Sequence, residues 1–394
     1  MVIQQSSPEP GQPRVPSQVV AFVGDDHASV SDPILAITHA AQAASVEAQA
    51  YRHCDAHPPI EPLPFVCPAN FLPHAEIPAP GRQLTILACP SSGLPQAPVA
   101  PMELADLATW IVTPEQVGSG GADAQLLELR GAGLPLAAVV LQADSDETDG
   151  DQCVRRIREQ LYAHEYDGDA LPVLNIPRLA PPDRAPDPMR FSQALHGALS
   201  LLEHLDQTPL QPPTSPEEAK PWLTIGDTRS LTRTQTYVVG RIQAGRIHAR
   251  EELSLTGVRG DHSVVTRVLQ RRGGRPPGVM HAGEIVWMHI EHRAGIRVDP
   301  GMILFEPGAL HRAQSWDVQL EKWGDLPQAT TLRVGVRELP IQVHTTGTGH
   351  ARLTSKTPIH MPSGTPFCLI QQGQITAVGQ IAEPLVGADL PASG

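Results

Sequence analysis

The sequence predicts an α/β domain with a mainly parallel sheet, followed by two small antiparallel β-barrels. Three observations carry this. Up to about residue 206, short and fully apolar runs recur with helix-sized gaps between them, as expected for strands buried on both faces by crossover helices. From about residue 220 the apolar runs come closer together and are punctuated by glycine, the spacing of a small all-β barrel. Charge divides at the same place. Residues 1–219 hold 10 Lys+Arg against 28 Asp+Glu, and residues 220–394 hold 19 against 14. The halves therefore carry −18 and +5, a split expected of separate domains with different partners.

Taken in order, residues 1–17 are polar and proline-rich and read as a disordered tail. In the α/β domain (18–206), the runs 19–23, 84–87, 109–112, 136–141 and 171–176 have the length of buried strands. Val154, Ile157 and Leu161 share one helical face, as do Phe191, Leu195, Ala198, Leu202 and Leu205. Prolines through 40–80 block regular pairing, so that stretch reads as a long loop. Residues 207–219, rich in Pro, Thr and Ser, form a linker. The first barrel (220–309) takes strands at 237–242, 252–255, 263–269, 284–290 and 302–305. The second (310–388) takes 316–320, 331–336, 341–344, 367–370 and 375–381, the two meeting near Gly308.

Composition narrows the function classes. Five scattered cysteines without a C-x-x-C pair fit reduced thiols better than a disulfide framework or a zinc site. No 18-residue apolar run occurs, which argues against a membrane partner and for a cytoplasmic protein. The acidic front half repels nucleic acid, and no DNA partner is expected. The arginine-bearing back half tolerates a phosphate backbone.

Local motifs then point to a family. Val239-Gly240-Arg241-Ile242-Gln243-Ala244-Gly245 resembles T-G-R-I-E-x-G, and His281-Ala282-Gly283-Glu284 resembles R-A-G-E/D. Pro300-Gly301-Met302-Ile303-Leu304-Phe305-Glu306-Pro307-Gly308 resembles R-G-Q-V-L-A-K-P-G. Further on, His344-Thr345-Thr346 and Met361-Pro362-Ser363-Gly364 resemble F-R-T-T and an M-P-G turn. No single match is specific, but their order and spacing together resemble translation elongation factor Tu. That resemblance implies a P-loop GTPase-like front domain, and residues 154–166 look like its helix and loop V-R-D-L-L-x-x-Y-x-F-P-G-D.

The nucleotide chemistry that the resemblance implies is missing at each motif. The phosphate loop G-H-V-D-H-G-K-T-T becomes Gly24-Asp25-Asp26-His27-Ala28-Ser29-Val30-Ser31-Asp32. Val30 replaces the lysine that neutralises phosphate charge, and Ser29 replaces the last glycine. Ser31 keeps a hydroxyl suited to magnesium, with no phosphates to share the ion. The switch motif D-C-P-G-H becomes Ala88-Cys89-Pro90-Ser91-Ser92, which loses the metal-side aspartate and the water-positioning histidine. The guanine-reading N-K-x-D becomes Gln142-Ala143-Asp144-Ser145, and the final S-A-L becomes Pro177-Arg178-Leu179. Independently of any alignment, the first lysine of the chain is Lys220, whereas such a domain needs lysines on both phosphate and guanine.

The expectation is a pseudo-GTPase with no catalytic residues and no cofactor or metal. Its retained barrels would engage tRNA, the ribosome or another elongation factor. The residues leave two other readings open: a specialised elongation factor binding GTP and magnesium through a rebuilt pocket, and a protein-interaction scaffold outside translation. Arg267, Arg271, Arg272 and Arg275 form the densest basic run and are the RNA-contact candidates, set against a solvated hairpin tip. His281, His289 and His292 read as packing or surface histidines along one strand and its turn, not as metal ligands. Gly283-Glu284-Ile285-Val286-Trp287 stands where the family builds an aminoacyl pocket on G-E/D-N-V-G, so Trp287 puts the usual aminoacyl recognition in question.

Overall fold

A computed structural model describes residues 17–25, 27–43, 49–50, 74–78, 82–90, 102, 104–143, 150–178, 187–209, 219–256, 261–270, 278–322, 326, 328–335 and 337–385. The chain forms two compact units, one built on Pro8–Leu129 and Leu134–Gln211 and the other on Met1–Ser7, Arg130–Gly133 and Pro212–Gly394.

The first unit is a seven-stranded sheet with helices on both faces. Its elements are β1 (Ser17–Gly24), α1 (His27–Ala43), β2 (Gln49–Ala50), β3 (His74–Pro78), β4 (Gln83–Pro90), β5 (Leu107–Val112), α2 (Gly120–Gly131), β6 (Leu136–Leu141), α3 (Gly150–Ala163), β7 (Val173–Asn175) and α4 (Pro188–Gln207). The strand order is β2-β3-β4-β1-β5-β6-β7. Strands β4, β1, β5, β6 and β7 are mutually parallel, whereas β3 pairs antiparallel with β4. Every residue of β5 and β6 is buried, which is why these strands are continuous apolar runs and not alternating ones. Val20, Phe22, Ile86, Ile111 and Val140 face α1 and α4, packing against Ile34, Ile37, Ala198, Leu201 and Leu205. On the opposite face, Trp110 donates from its indole nitrogen to Gln125 of α2 at 2.8 Å, which lets a large aromatic sit fully buried with its polar atom paired.

The expected loop over 40–80 needs correction. Its first residues belong to α1, and β3 within it joins the sheet in register from His74↔Leu87 to Pro78↔Gln83. Pro78 is the last residue of that strand, a position where a proline is tolerated. Residues 51–73 lie outside the described residues.

The second unit holds two closed six-stranded barrels. The first has order β11-β12-β14-β9-β8-β15, from β8 (Trp222–Ser230), β9 (Gln235–Ala244), β11 (Glu252–Leu255), β12 (His262–Gln270), β14 (Ile285–Glu291) and β15 (Ile303–Phe305). A separate two-stranded ribbon pairs β10 (Arg246–His248) with β13 (Val279–His281). The second barrel has order β16-β19-β18-β17-β20-β21, from β16 (Arg312–Lys322), β17 (Ala329–Val334), β18 (Arg337–Gly347), β19 (His350–His360), β20 (Pro366–Gln371) and β21 (Gln374–Leu385). Each has its own apolar interior, one around Ile225, Val238, Leu253 and Met288, the other around Trp316, Leu353, Phe367 and Leu369. Strands β8, β10, β13 and β19 have no counterpart in the sequence reading. The glycine of Val239-Gly240-Arg241 is structural: a Cβ there would lie 2.0 Å from Leu223 and 2.5 Å from the Thr224 carbonyl.

Candidate functional site

Parallel strands all end at one edge of their sheet, and in open α/β folds that edge forms the ligand crevice. Here it gathers the segments singled out in the sequence. Gly24 closes β1 and is paired in register with Pro90, the last residue of β4, while Phe22 pairs with Ala88 and Val23 with Cys89. Gln142 follows β6, and its backbone N–H donates to the Val112 carbonyl at 2.9 Å. Pro177 and Arg178 follow Ile176, whose N–H donates to Leu141 at 3.1 Å. The topology thus places the phosphate-loop, switch and base-reading positions side by side.

What these positions offer is mostly apolar or acidic. Only residues 25 and 26 separate the end of β1 from the first residue of α1. Backbone amides from His27 onward therefore lie in a helix instead of a wrapping loop. Val30 is fully buried and packs in the core with Phe22 and Ile34. Its side chain belongs to the core between the sheet and α1. Ala88 and Cys89 are buried as well, and burial pushes the Cys89 thiol well above the usual thiol range. Gln142 is 1% exposed. The described ionisable residues flanking this edge are Asp25, Glu115 and Arg178. The Glu115 carboxyl is held below its ordinary range by hydrogen bonds from the Thr113 hydroxyl and its own backbone, with help from Arg178. Asp144 and Ser92 lie outside the described residues, as do the side chains of His27, Ser31 and Pro90.

Behind the edge, a polar network fixes the β5–α2 connection. Gly118 N–H donates to Gln160 Oε1 at 3.0 Å, and Gln160 Nε2 donates to Asp123 Oδ1 at 2.8 Å. His164 Nε2 also reaches Asp123 Oδ1, at 2.9 Å. Sequence reading missed this network because its members come from three segments, each unremarkable alone.

On the first barrel, Arg267 sits at the bulge between Thr266 and Val268, not at a hairpin tip. Its guanidinium pairs with Glu291, to which Gln235 also donates at 3.3 Å. Arg271, Arg272 and Arg275 lie outside the described residues. The three histidines do not share one strand: His281 ends β13, His289 lies on β14, and His292 follows it. His292 Nε2 lies 2.9 Å from the Thr236 hydroxyl and Nδ1 lies 3.0 Å from the Arg293 carbonyl, so both ring nitrogens have a partner. Burial lowers the pKa of His289, with Glu291 opposing. Trp287 pairs with Val239 of β9 and is 4% exposed. Among the described residues, no three His, Cys, Asp or Glu side chains converge as metal ligands, and no helix is long and apolar enough to cross a membrane.

No family model matches the chain. Solved structures do match it over nearly its whole length. Translation elongation factor SelB of Methanococcus maripaludis, in complex with the GTP analogue GppNHp, superposes with a TM-score of 0.68 at 13% identity, covering 95% of this chain and 80% of that one. Its apo form gives 0.69 at 13% identity, with 93% and 80% covered. The fold is that of a translation elongation factor. A bacterial selenocysteine-specific elongation factor, EF-Sec, gives 0.68 at 12% identity; this chain is covered to 95% but spans only 59% of that protein. The parallel sheet and two closed barrels match the architecture expected from the elongation factor Tu resemblance. At these identities the likeness extends to the fold and leaves the chemistry to this chain's own residues.

Proposed function

We propose that this protein is an elongation-factor-like pseudo-GTPase of the cytoplasm. In this reading its barrels bind a component of the translation apparatus (tRNA, the ribosome or another elongation factor) without nucleotide turnover. The observation that carries this is Val30: the residue at the phosphate-lysine position is a core side chain on a helix that begins three residues after Gly24. Phosphoryl transfer depends almost wholly on positioning and charge stabilisation by backbone amides, a lysine and magnesium. A two-residue connection leaves little chain to wrap a phosphate, and the free amides of the first turn of α1 are then without the lysine that would neutralise its charge. Asp25 and the absence of any lysine before Lys220 make the region repel a triphosphate.

A second reading has one observation in its favour. Arg178 supplies a cation at the same strand edge, next to the position of the base-reading motif, and would serve a rebuilt guanine-nucleotide pocket. Calorimetric titration with GTP and GDP, with and without magnesium, separates the two. The pseudo-GTPase reading expects neither heat nor thermal shift at millimolar nucleotide. Micromolar binding abolished by Arg178→Ala would establish the rebuilt pocket in its place.

A further inference from the structure

The two barrels meet at a buried histidine. His360 is the last residue of β19 in the second barrel, in register with Arg312 of β16. Its side chain is only 3% exposed, because the ring reaches across to the first barrel. There Nε2 lies 3.1 Å from each carboxylate oxygen of Asp261, the residue just before β12. Phe305, which ends β15, packs its ring on the imidazole with centroids 4.7 Å apart. One side chain of the second barrel thus holds two separate elements of the first.

The protonation states follow from this geometry. An ionised carboxylate only accepts hydrogen bonds, so the neutral ring carries its proton on Nε2 and donates to Asp261. Nδ1 is enclosed. A second proton has to go to that nitrogen, which places a charged ring in a site shielded from water. Burial is the largest influence on the ring and opposes the second proton. Arg312 opposes it as well, while Asp261 and the His311 backbone favour it. The Arg312 guanidinium is held close by donating to the Pro358 carbonyl, from Nε at 3.1 Å and from Nη2 at 2.6 Å. Glu306, next to Phe305, lies 3.8 Å from the Lys220 ammonium. The balance falls on the neutral ring. Asp261 keeps 28% of its side chain exposed, so water can solvate its charge once the ring leaves.

We propose that His360 is a pH-sensitive latch between the two barrels, closed while its ring is neutral and released on acidification, when the doubly protonated imidazole turns out to water and the barrels become free to reorient. The latch is independent of whether the barrels bind RNA or the front unit binds nucleotide. A two-state element biased by protonation of a buried histidine is an established way for a fold to respond to pH.

The test is Förster transfer in the full-length protein between dyes on p-azidophenylalanine placed at Ala294 of the first barrel and Thr346 of the second, both exposed positions. Transfer is followed from pH 8 to pH 5, with circular dichroism alongside to report the fold. The wild type should hold one transfer efficiency at and above pH 7 and move to another below about 6.5 while its circular dichroism stays native. Two more histidines, His262 and His311, lie beside this joint in sequence, so variants assign the effect. His360→Gln keeps a donor to Asp261 that does not titrate, and its transfer should stay flat. Asp261→Asn removes the charge that favours the second proton, so its transition should move down by about one pH unit; this shift decides the matter even where His360→Gln fails to fold. Transfer in the wild type that is constant across the range overturns the latch. So does a transition that persists unchanged in His360→Gln or Asp261→Asn, or one that coincides with loss of the circular dichroism signal.

Discussion

At the scale of single residues, one position carries most of the argument about nucleotide. Val30 is an apolar side chain in the interior, so restoring a lysine there does not restore a phosphate site. An ammonium at that position has to be buried among Phe22, Ile34 and Ile37, and an unpaired buried charge destabilises by about 3 kcal/mol or more. Val30→Lys is therefore expected to lower the thermal midpoint markedly and to confer no GTP binding, checked by melting curves with and without magnesium–GTP. A stable Val30→Lys protein that acquires nucleotide affinity would place the side chain at the crevice and sink the reading. The identity of this residue was legible in the sequence, but its orientation was not. Direction depends on where α1 starts, and Ser29, Ser31, Asp32 and Pro33 give a helix start of unusually poor propensity.

Elements were legible in proportion to how far their own residues supply the burial. β5, β6 and β9 are dense in Val, Ile and Leu and stood out. β19 did not, because its inward residues include only Ala351, Leu353 and Ile359 as apolar side chains, and its place is fixed by partners such as Asp317, which accepts from Arg352 Nε at 2.8 Å. The last residue of β19 also joins the two barrels. His360 is 4% exposed, its Nε2 lies 3.1 Å from both carboxylate oxygens of Asp261, and its ring packs at 4.7 Å on Phe305. Burial lowers the His360 pKa and Arg312 adds to the depression, while Asp261 and the His311 backbone oppose it. A histidine whose folded value is depressed favours the neutral ring in the folded state. Its contribution is fully present above the unfolded value, near 6.5, and is lost as pH falls through the folded value. Denaturant unfolding of the wild type should therefore show stability declining as pH drops below about 6.5, with a shallower decline in His360→Gln. An identical slope in the variant would exclude His360 as the source. Because burial also depresses His289, the variant is expected to keep part of the pH dependence.

For the whole molecule, the deciding contrast is between a fold shared with GTP-dependent factors and a charge distribution that works against nucleotide. The resemblance over 95% of the chain to SelB bound to a GTP analogue reflects packing: buried parallel strands, helices on both faces and closed barrels persist while surface chemistry changes. The −18 of residues 1–219 and the +5 of residues 220–394 assign any polyanion to the barrel side, since long-range repulsion steers it away from the front half. The two properties make a joint prediction that neither makes alone. Binding of tRNA by the intact chain should weaken steeply with salt yet show the same affinity with GTP, with GDP and with no nucleotide. In a switching factor the γ-phosphate orders loops and thereby couples the nucleotide to the partner's affinity; in the pseudo-GTPase proposed above that coupling free energy would have no source. Affinity that rises severalfold with GTP over GDP, measured at fixed magnesium and salt, would mean that the strand edge around Asp25, Gln142 and Arg178 does bind nucleotide. Salt-insensitive association with a protein partner, and none with tRNA, would instead make the barrels a scaffold outside translation.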